Sequence, residues 1–291
     1  MKHKQLFGSD VGAYASGLLR LAGFFALIIV LTPVHVLCHI YKPADQFYMP
    51  YFFHRLLVRV LGLRLRVIGT MDTTRPVLFV CNHSSYLDIP VLGALIPAAF
   101  VAKAEVARWP LIGTLARLQN TVFIERRNMR VREHNDSLRE RLLDGQNLIL
   151  FPEGTSSDGL TVLPFKSSLF STVENDLPSG PITVQPVSVV CSELDGLPIT
   201  RALRPYYAWF GDMTLAGHLW NVFKFGRFTV DVVFHQPVKA NTFANRKILA
   251  DYCQKQVARG IEQCLTGRHL SQLQKQTLLT APNSNLAKMK A

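Results

Sequence analysis

Asn82-His83 is followed at position 88 by an aspartate, and about seventy residues later the chain reads Phe151-Pro152-Glu153-Gly154-Thr155. A histidine within reach of a carboxylate makes a general base. The carboxylate binds one imidazole nitrogen and fixes the tautomer, which leaves the other nitrogen free to take a proton. On one continuous helix, positions 83 and 88 lie about 140° apart, on different faces. They meet only if His83 sits on a strand-to-helix turn and Asp88 in the first helical turn, with Ser84 or Ser85 as the expected N-cap. An isolated pair at this spacing is more often a capping aspartate beside a turn histidine, so the spacing carries little by itself.

The second motif ends an apolar run with a rigid proline and a permissive glycine. Main-chain amides in such a turn can receive a phosphate or an oxyanion; an ordinary loop with a helix cap reads the same way. Phe123-Ile124-Glu125-Arg126-Arg127 places two guanidinium groups just after an apolar stretch. Arginine matches phosphate with a fork of donors, although a solvated charge run is the plainer reading. No GxSxG elbow, P-loop or GxGxxG is present, so a serine hydrolase and the common nucleotide folds lose their signatures.

The elements that must position these residues alternate. Leu65–Gly69, Val77–Cys81, Ala99–Lys103, Thr121–Ile124, Asn147–Phe151, Ile182–Val190 and Phe228–Phe234 read as strands. The unbroken apolar run of Val77–Cys81 suggests a buried parallel strand. Pro186 inside its strand predicts a bulge or an edge position. Ile89–Ile96, Met129–Leu143 and Ile248–Leu265 read as helices, and His218 as a structural residue on a helix with Leu215 and Leu219. The pattern predicts an α/β fold, a mostly parallel central sheet flanked by helices. Both motifs follow apolar strands, where such sheets collect functional groups.

Ahead of this domain, Leu21–Ile40 contains no Asp, Glu, Lys or Arg. Twenty helical residues span roughly 30 Å, about one hydrocarbon core. The run is long and lacks a clean cleavage site, so it is not read as a signal peptide. Gln46–Leu63 mixes Tyr48, Tyr51, Phe52 and Phe53 with Arg55 and Arg59, which suits an interfacial amphipathic helix. Lys2 and Lys4 precede the first segment and Arg55, Arg59, Arg64 and Arg66 follow it, so charge asymmetry decides no orientation. A helical pair anchored in one leaflet is preferred over a single span, and both over a buried hairpin. The division is 1–64 membrane-anchoring segment, 65–267 α/β domain and 268–291 polar, loose tail.

Composition agrees. The chain of 291 residues is 48% hydrophobic, with 32 Lys+Arg against 20 Asp+Glu and a net charge of +12; its mean hydropathy is +0.16. A basic, apolar protein suits an anionic membrane surface or an anionic substrate. Nucleic acid is the rival reading of the charge, but no motif supports it. The five cysteines are scattered without CxxC spacing, so no zinc site or disulfide framework is expected and the globular part is placed in a reducing compartment.

In order and approximate spacing, Asn82-His83-x4-Asp88, Phe123-Ile124-Glu125-Arg126, Phe151-Pro152-Glu153-Gly154-Thr155 and Val184-Gln185-Pro186-Val187 resemble the glycerolipid acyltransferase family, over roughly residues 65 to 240. Four ordered blocks are far more specific than any one. The resemblance looks closest to bacterial 1-acylglycerol-3-phosphate (lysophosphatidate) acyltransferases. It implies transfer of a fatty acyl group from a thioester, acyl-CoA or acyl-ACP (acyl carrier protein), to a lysolipid hydroxyl, without an acyl-enzyme. His83 would be the base and Asp88 its orienting group. Arg126, Glu153, Gly154 and Thr155 would form the acceptor site, Glu153 acting indirectly on Arg126 or a main-chain amide. Lys103, Glu105 and Asn82 would line it. No metal or other cofactor is implied.

Two departures stand out: Asn120 and Thr121 where the family often has glycine, and Gln185 before Pro186. The stretch from Trp209 to Trp220 resembles a subset that includes acyltransferases of ornithine-lipid synthesis, whose lyso-aminolipid acceptor has no phosphate. Lysophosphatidate is thus the first expected acceptor, lyso-ornithine lipid the alternative and a non-catalytic lipid-binding scaffold a third reading. The implied location is the cytoplasmic face of the inner membrane, with membrane lipid and the acyl donor as partners.

Overall fold

A computed structural model describes residues 10–41, 47–124 and 131–268. Arg126 and the basic stretch around it lie outside the described residues, as does the tail from position 269.

Helix α1 (Asp10–Tyr41) and helix α2 (Tyr48–Val60) precede strand β1 (Leu63–Ile68) and strand β2 (Val77–Cys81). Then come α3 (Asp88–Gly93), β3 (Ala99–Lys103), α4 (Ile112–Leu118), β4 (Val122–Ile124), α5 (Val131–Leu143) and β5 (Leu148–Leu150). The long β6 (Thr183–Leu194), β7 (Leu197–Pro198), α6 (Leu215–Lys224), β8 (Phe228–Phe234), β9 (Val238–Lys239) and α7 (Arg246–Leu265) complete the order.

The strands form one sheet in the order β1-β8-β6-β2-β5-β3-β4, with β7 and β9 paired to β6. The β1–β8, β6–β2, β2–β5, β5–β3 and β3–β4 pairs are parallel; β8, β7 and β9 run antiparallel to β6. Every residue of β2 and β8 is buried; the unbroken apolar run of β2 requires it, whereas β8 buries Asp231 by pairing it with Arg66 of β1. Two apolar clusters cover the faces. One gathers Leu57, Phe79, Leu92, Phe100 and Phe223; the other gathers Leu78, Leu142, Phe170, Leu249 and Val257.

Two local expectations are corrected. Pro186 is not on an edge strand, since β6 lies between β8 and β2, and the irregularity in β6 falls at Cys191–Glu193 instead. Pro186 stands where the neighbouring strand changes from β8, paired up to Phe234, to β9, paired from Val238. Its carbonyl accepts His235 N–H at 3.0 Å on that side. The missing N–H of proline faces the same break, so no ladder bond is lost. The second correction concerns α3, which has no serine side-chain N-cap; Asp88 itself is its first residue.

Helix α1 is 32 residues long, roughly 48 Å. Its segment Val11–Cys38 is long and apolar enough to cross a membrane. One side docks on the domain: Tyr14 meets Trp220, Phe24 meets Phe223, Arg20 donates to the carbonyl of Phe225, and His35 bonds the carbonyl of Leu118 at 2.6 Å. The other side exposes Leu18, Leu19, Ile29, Val30, Leu37 and Ile40.

Candidate active site

Strands β2, β5, β3 and β4 run in one direction, so their C-terminal ends share a rim. His83 follows β2, Glu153 and Gly154 follow β5, and Lys103 ends β3. Parallel pairing thus gathers motifs far apart in the chain, the arrangement expected at strand ends in an α/β sheet.

His83 and Asp88 meet across the turn. His83 Nδ1 lies 3.0 Å from Asp88 Oδ2. The same oxygen accepts the N–H groups of Ser84 at 2.7 Å and Ser85 at 2.9 Å. The carboxylate therefore caps the turn, whereas serine was expected to cap the helix. Asp88 is fully buried, and a buried carboxylate needs such donors to stay charged. As acceptor it favours the tautomer that carries its proton on Nδ1. The His83 ring stacks on Phe151 at 4.3 Å and its side chain keeps 22% of its surface exposed.

Glu153 is buried, at 3% exposure. Its Oε1 accepts His83 N–H at 2.7 Å, and its Oε2 accepts Leu163 N–H at 2.9 Å. Burial outweighs these two amide bonds and pushes its carboxyl up to about 7. Asn82 is equally inward: Nδ2 donates to the carbonyl of Val189 at 2.9 Å and Oδ1 accepts Val189 N–H at 2.8 Å. That double bond ties the end of β2 to β6.

Gly154 adopts φ +68°, and a Cβ there would stand 2.5 Å from Lys166 Nζ, so the turn selects glycine. Thr155 and Glu105 are exposed and Lys103 is half-buried. Asn120 takes φ +59°, a left-handed conformation that glycine adopts freely and asparagine tolerates, so this departure keeps the backbone path. Gln185 is a staple, accepting Asp72 N–H and donating to the carbonyls of Thr70 and His235.

Beside this rim lies an apolar cavity of about 230 Å³, between the N-terminal helices and the domain. Phe24 and Leu31 of α1, Phe53 and Leu57 of α2, Phe100, Trp109, Ala116 and Leu219 line it. His54 and Gln119 form a polar pair in its wall, 2.8 Å apart, and burial pushes His54 down to about 4, so it is neutral. Sequence reading did not find this cavity, because its walls come from six separate segments.

Sequence reading also missed the rest of the Asp88 shell. Tyr207 OH donates to Asp88 Oδ1 at 3.1 Å from 119 residues downstream. His218 is buried on α6, as expected of a structural residue, with Tyr86 OH 2.8 Å from its Nδ1.

Residues 64–190 match the family model described as Acyltransferase. The lyso-ornithine lipid O-acyltransferase of Rhizobium meliloti is 39% identical over 247 residues, 84% of this chain and 85% of that protein. The 1-acyl-sn-glycerol-3-phosphate acyltransferase of Neisseria gonorrhoeae is 34% identical over 182 residues, 62% of this chain and 68% of that protein. The crystal structure of the 1-acyl-sn-glycerophosphate acyltransferase of Thermotoga maritima shares the fold, with TM-score 0.61 and 23% identity over 86% of this chain and 97% of that one. The chain belongs to the lysolipid acyltransferase family. Among these relatives the lyso-ornithine lipid enzyme is the more similar.

Proposed function

We propose that the protein is a lyso-ornithine lipid O-acyltransferase with His83 as general base. The observation that carries the chemistry is the His83 Nδ1–Asp88 Oδ2 bond, which leaves Nε2 basic. The acceptor identity is supported by the 39% identity over most of both chains. Nε2 takes the proton of the acceptor hydroxyl as its oxygen attacks the thioester carbonyl of acyl-CoA or acyl-ACP. The new C–O bond forms, the C–S bond breaks, and the thiolate leaves with the proton returned from His83. No acyl-enzyme, metal or other cofactor takes part.

The acyl chain occupies the apolar cavity, whose lining matches a hydrocarbon tail. Lys103, Arg126 and the Gly154–Thr155 turn meet the acceptor headgroup, whose carboxylate suits their charge. Glu153 and Asn82 act through the main chain.

The α1–α2 pair sits in the cytoplasmic leaflet of the inner membrane. Docking contacts on α1 run from Tyr14 to His35, about 32 Å of helix. That equals a hydrocarbon core, so a spanning α1 would drag the domain into the bilayer. An in-plane helix buries only its exposed apolar side.

The test is acyl transfer from labelled acyl-ACP and acyl-CoA to a lysolipid panel. Preferred turnover of lyso-ornithine lipid is expected. Preferred turnover of lysophosphatidate would return the assignment to the acceptor first expected from the sequence, the one named for the Neisseria relative.

A further inference from the structure

The two oxygens of Asp88 are held from different parts of the chain. Oδ2 takes its donors from the turn itself: His83, Ser84 and Ser85. Oδ1 faces the Tyr207 hydroxyl at 3.1 Å and, more distantly, the Ser84 hydroxyl at 3.4 Å. Tyr207 lies beyond the 64–190 segment that the family model covers. It is buried, at 1% exposure, and its ring packs edge-on to Phe228 at 5.8 Å. The segment around it is braced against the same turn, since Trp209 N–H donates to the carbonyl of Ser84 at 2.8 Å. Arg204 Nη1 ties it also to the loop after β5, donating to the carbonyl of Gly159 at 3.3 Å.

We propose that Tyr207 is a positioning residue for the base: its hydroxyl holds Asp88 Oδ1 and so sets how strongly Oδ2 draws on the His83 ring. The inference rests on the base role assigned to His83. A fully buried carboxylate has no water to spread its charge. With the phenol present, charge is shared over both oxygens. Without it, Oδ1 keeps one long contact, negative charge concentrates toward Oδ2, and the imidazolium form of His83 is favoured. A base that holds a proton too tightly is absent in its working form at neutral pH.

The surrounding groups leave this effect readable. Burial keeps the Tyr207 and Tyr86 phenols and the Cys81 and Cys191 thiols, all near Asp88, protonated. Arg204 faces Cys191 and Asp158, and Lys166 stands at Gly154. Glu153 titrates at about 7 on the opposite side of His83, through main-chain amides that Tyr207 does not touch. Its contribution is common to every variant and cancels in the comparison.

The full chain in detergent, with 13C-labelled histidine rings, allows the His83 ring to be titrated by NMR. Three proteins are compared: wild type, Tyr207→Phe, and a form carrying 3-fluorotyrosine at 207, a stronger donor. Tyr207→Phe should move the His83 midpoint up by roughly half a pH unit or more, and the fluorinated form should move it down. Turnover of Tyr207→Phe should fall about fivefold or more with acceptor KM unchanged. An unmoved midpoint in the folded Phe variant overturns the proposal. If that variant does not fold, the fluorinated form decides, and an unmoved or raised midpoint there overturns it. Undiminished activity in His83→Ala would overturn the base assignment alone and leave the titration result standing.

Discussion

Glu153 Oε1 accepts the main-chain N–H of His83 at 2.7 Å, while its Oε2 holds Leu163 N–H. One carboxylate thus joins the turn after β2 to the segment after β5. This relationship resolves an electrostatic awkwardness of the Phe-Pro-Glu-Gly motif, since an anionic side chain facing an anionic headgroup would repel it. Glu153 faces inward, and what remains at the surface is the glycine turn, Thr155 and the Lys166 ammonium.

Glu153 makes stability depend on pH. Its folded value, about 7, is above the ordinary 4.5. Between these values the folded chain retains a proton that the unfolded chain has released. The group therefore stabilises the fold below the ordinary value and loses that contribution as pH rises through about 7. Wild-type stability relative to Glu153→Gln should fall between pH 5 and pH 8, by on the order of 1–3 kcal/mol. Denaturant unfolding of both proteins across this range measures it; a constant difference contradicts the assignment.

For the base, His83→Ala should lower kcat about 10²- to 10⁴-fold with little change in acceptor KM. Asp88→Asn should approach that loss. An amide presents N–H groups where the Asp88 carboxylate now accepts from Ser84, Ser85 and Tyr207. Steady-state kinetics on the lysolipid acceptor checks both.

Asn82 separates a clamp from a substrate contact. Both of its polar atoms are bound to Val189. Asn82→Ala leaves the buried N–H and carbonyl of Val189 without partners and should cost about 1–3 kcal/mol. The melting temperature should drop and turnover should fall, whereas a rise in acceptor KM alone would restore Asn82 to the binding site.

The cavity makes a prediction about chain length. Ala116 is buried on α4 and lines it. Ala116→Phe fills part of the 230 Å³ with a ring. Donor preference should move toward shorter acyl chains, read from kcat/KM across a series of acyl-ACPs. An unchanged preference would mean that the chain lies elsewhere.

For the anchor, Leu19→Asp combined with Ile29→Asp places charge on the exposed side of α1 without touching its docked side. Carbonate washing should then release a folded protein from membranes, while wild type stays bound. Retention of the double variant would argue for a deeper insertion than one leaflet.

Much of this molecule was legible in the chain. Val77–Cys81, Ala99–Lys103 and Phe228–Phe234 read as strands with the boundaries that the fold shows, the first because an unbroken apolar run must be buried wherever it lies and the last because it alternates. His83 and Asp88 were legible because five residues across a strand-to-helix turn is a local geometry. Local pattern misled at Pro186, where a break between two neighbouring strands, invisible in sequence, removes the cost of the missing N–H.

What the sequence alone determined is therefore what depends on near neighbours: the strands, the apolar N-terminal helix and the closeness of His83 to Asp88. The tertiary structure decided the rest. It aimed Glu153 and Asn82 at main-chain atoms, assembled the cavity from α1, α2, α4 and the sheet, and brought Tyr207 to Asp88. A hydrogen bond between residues 119 positions apart has no period and no local propensity. It exists only because parallel pairing and apolar burial have already set the two segments side by side.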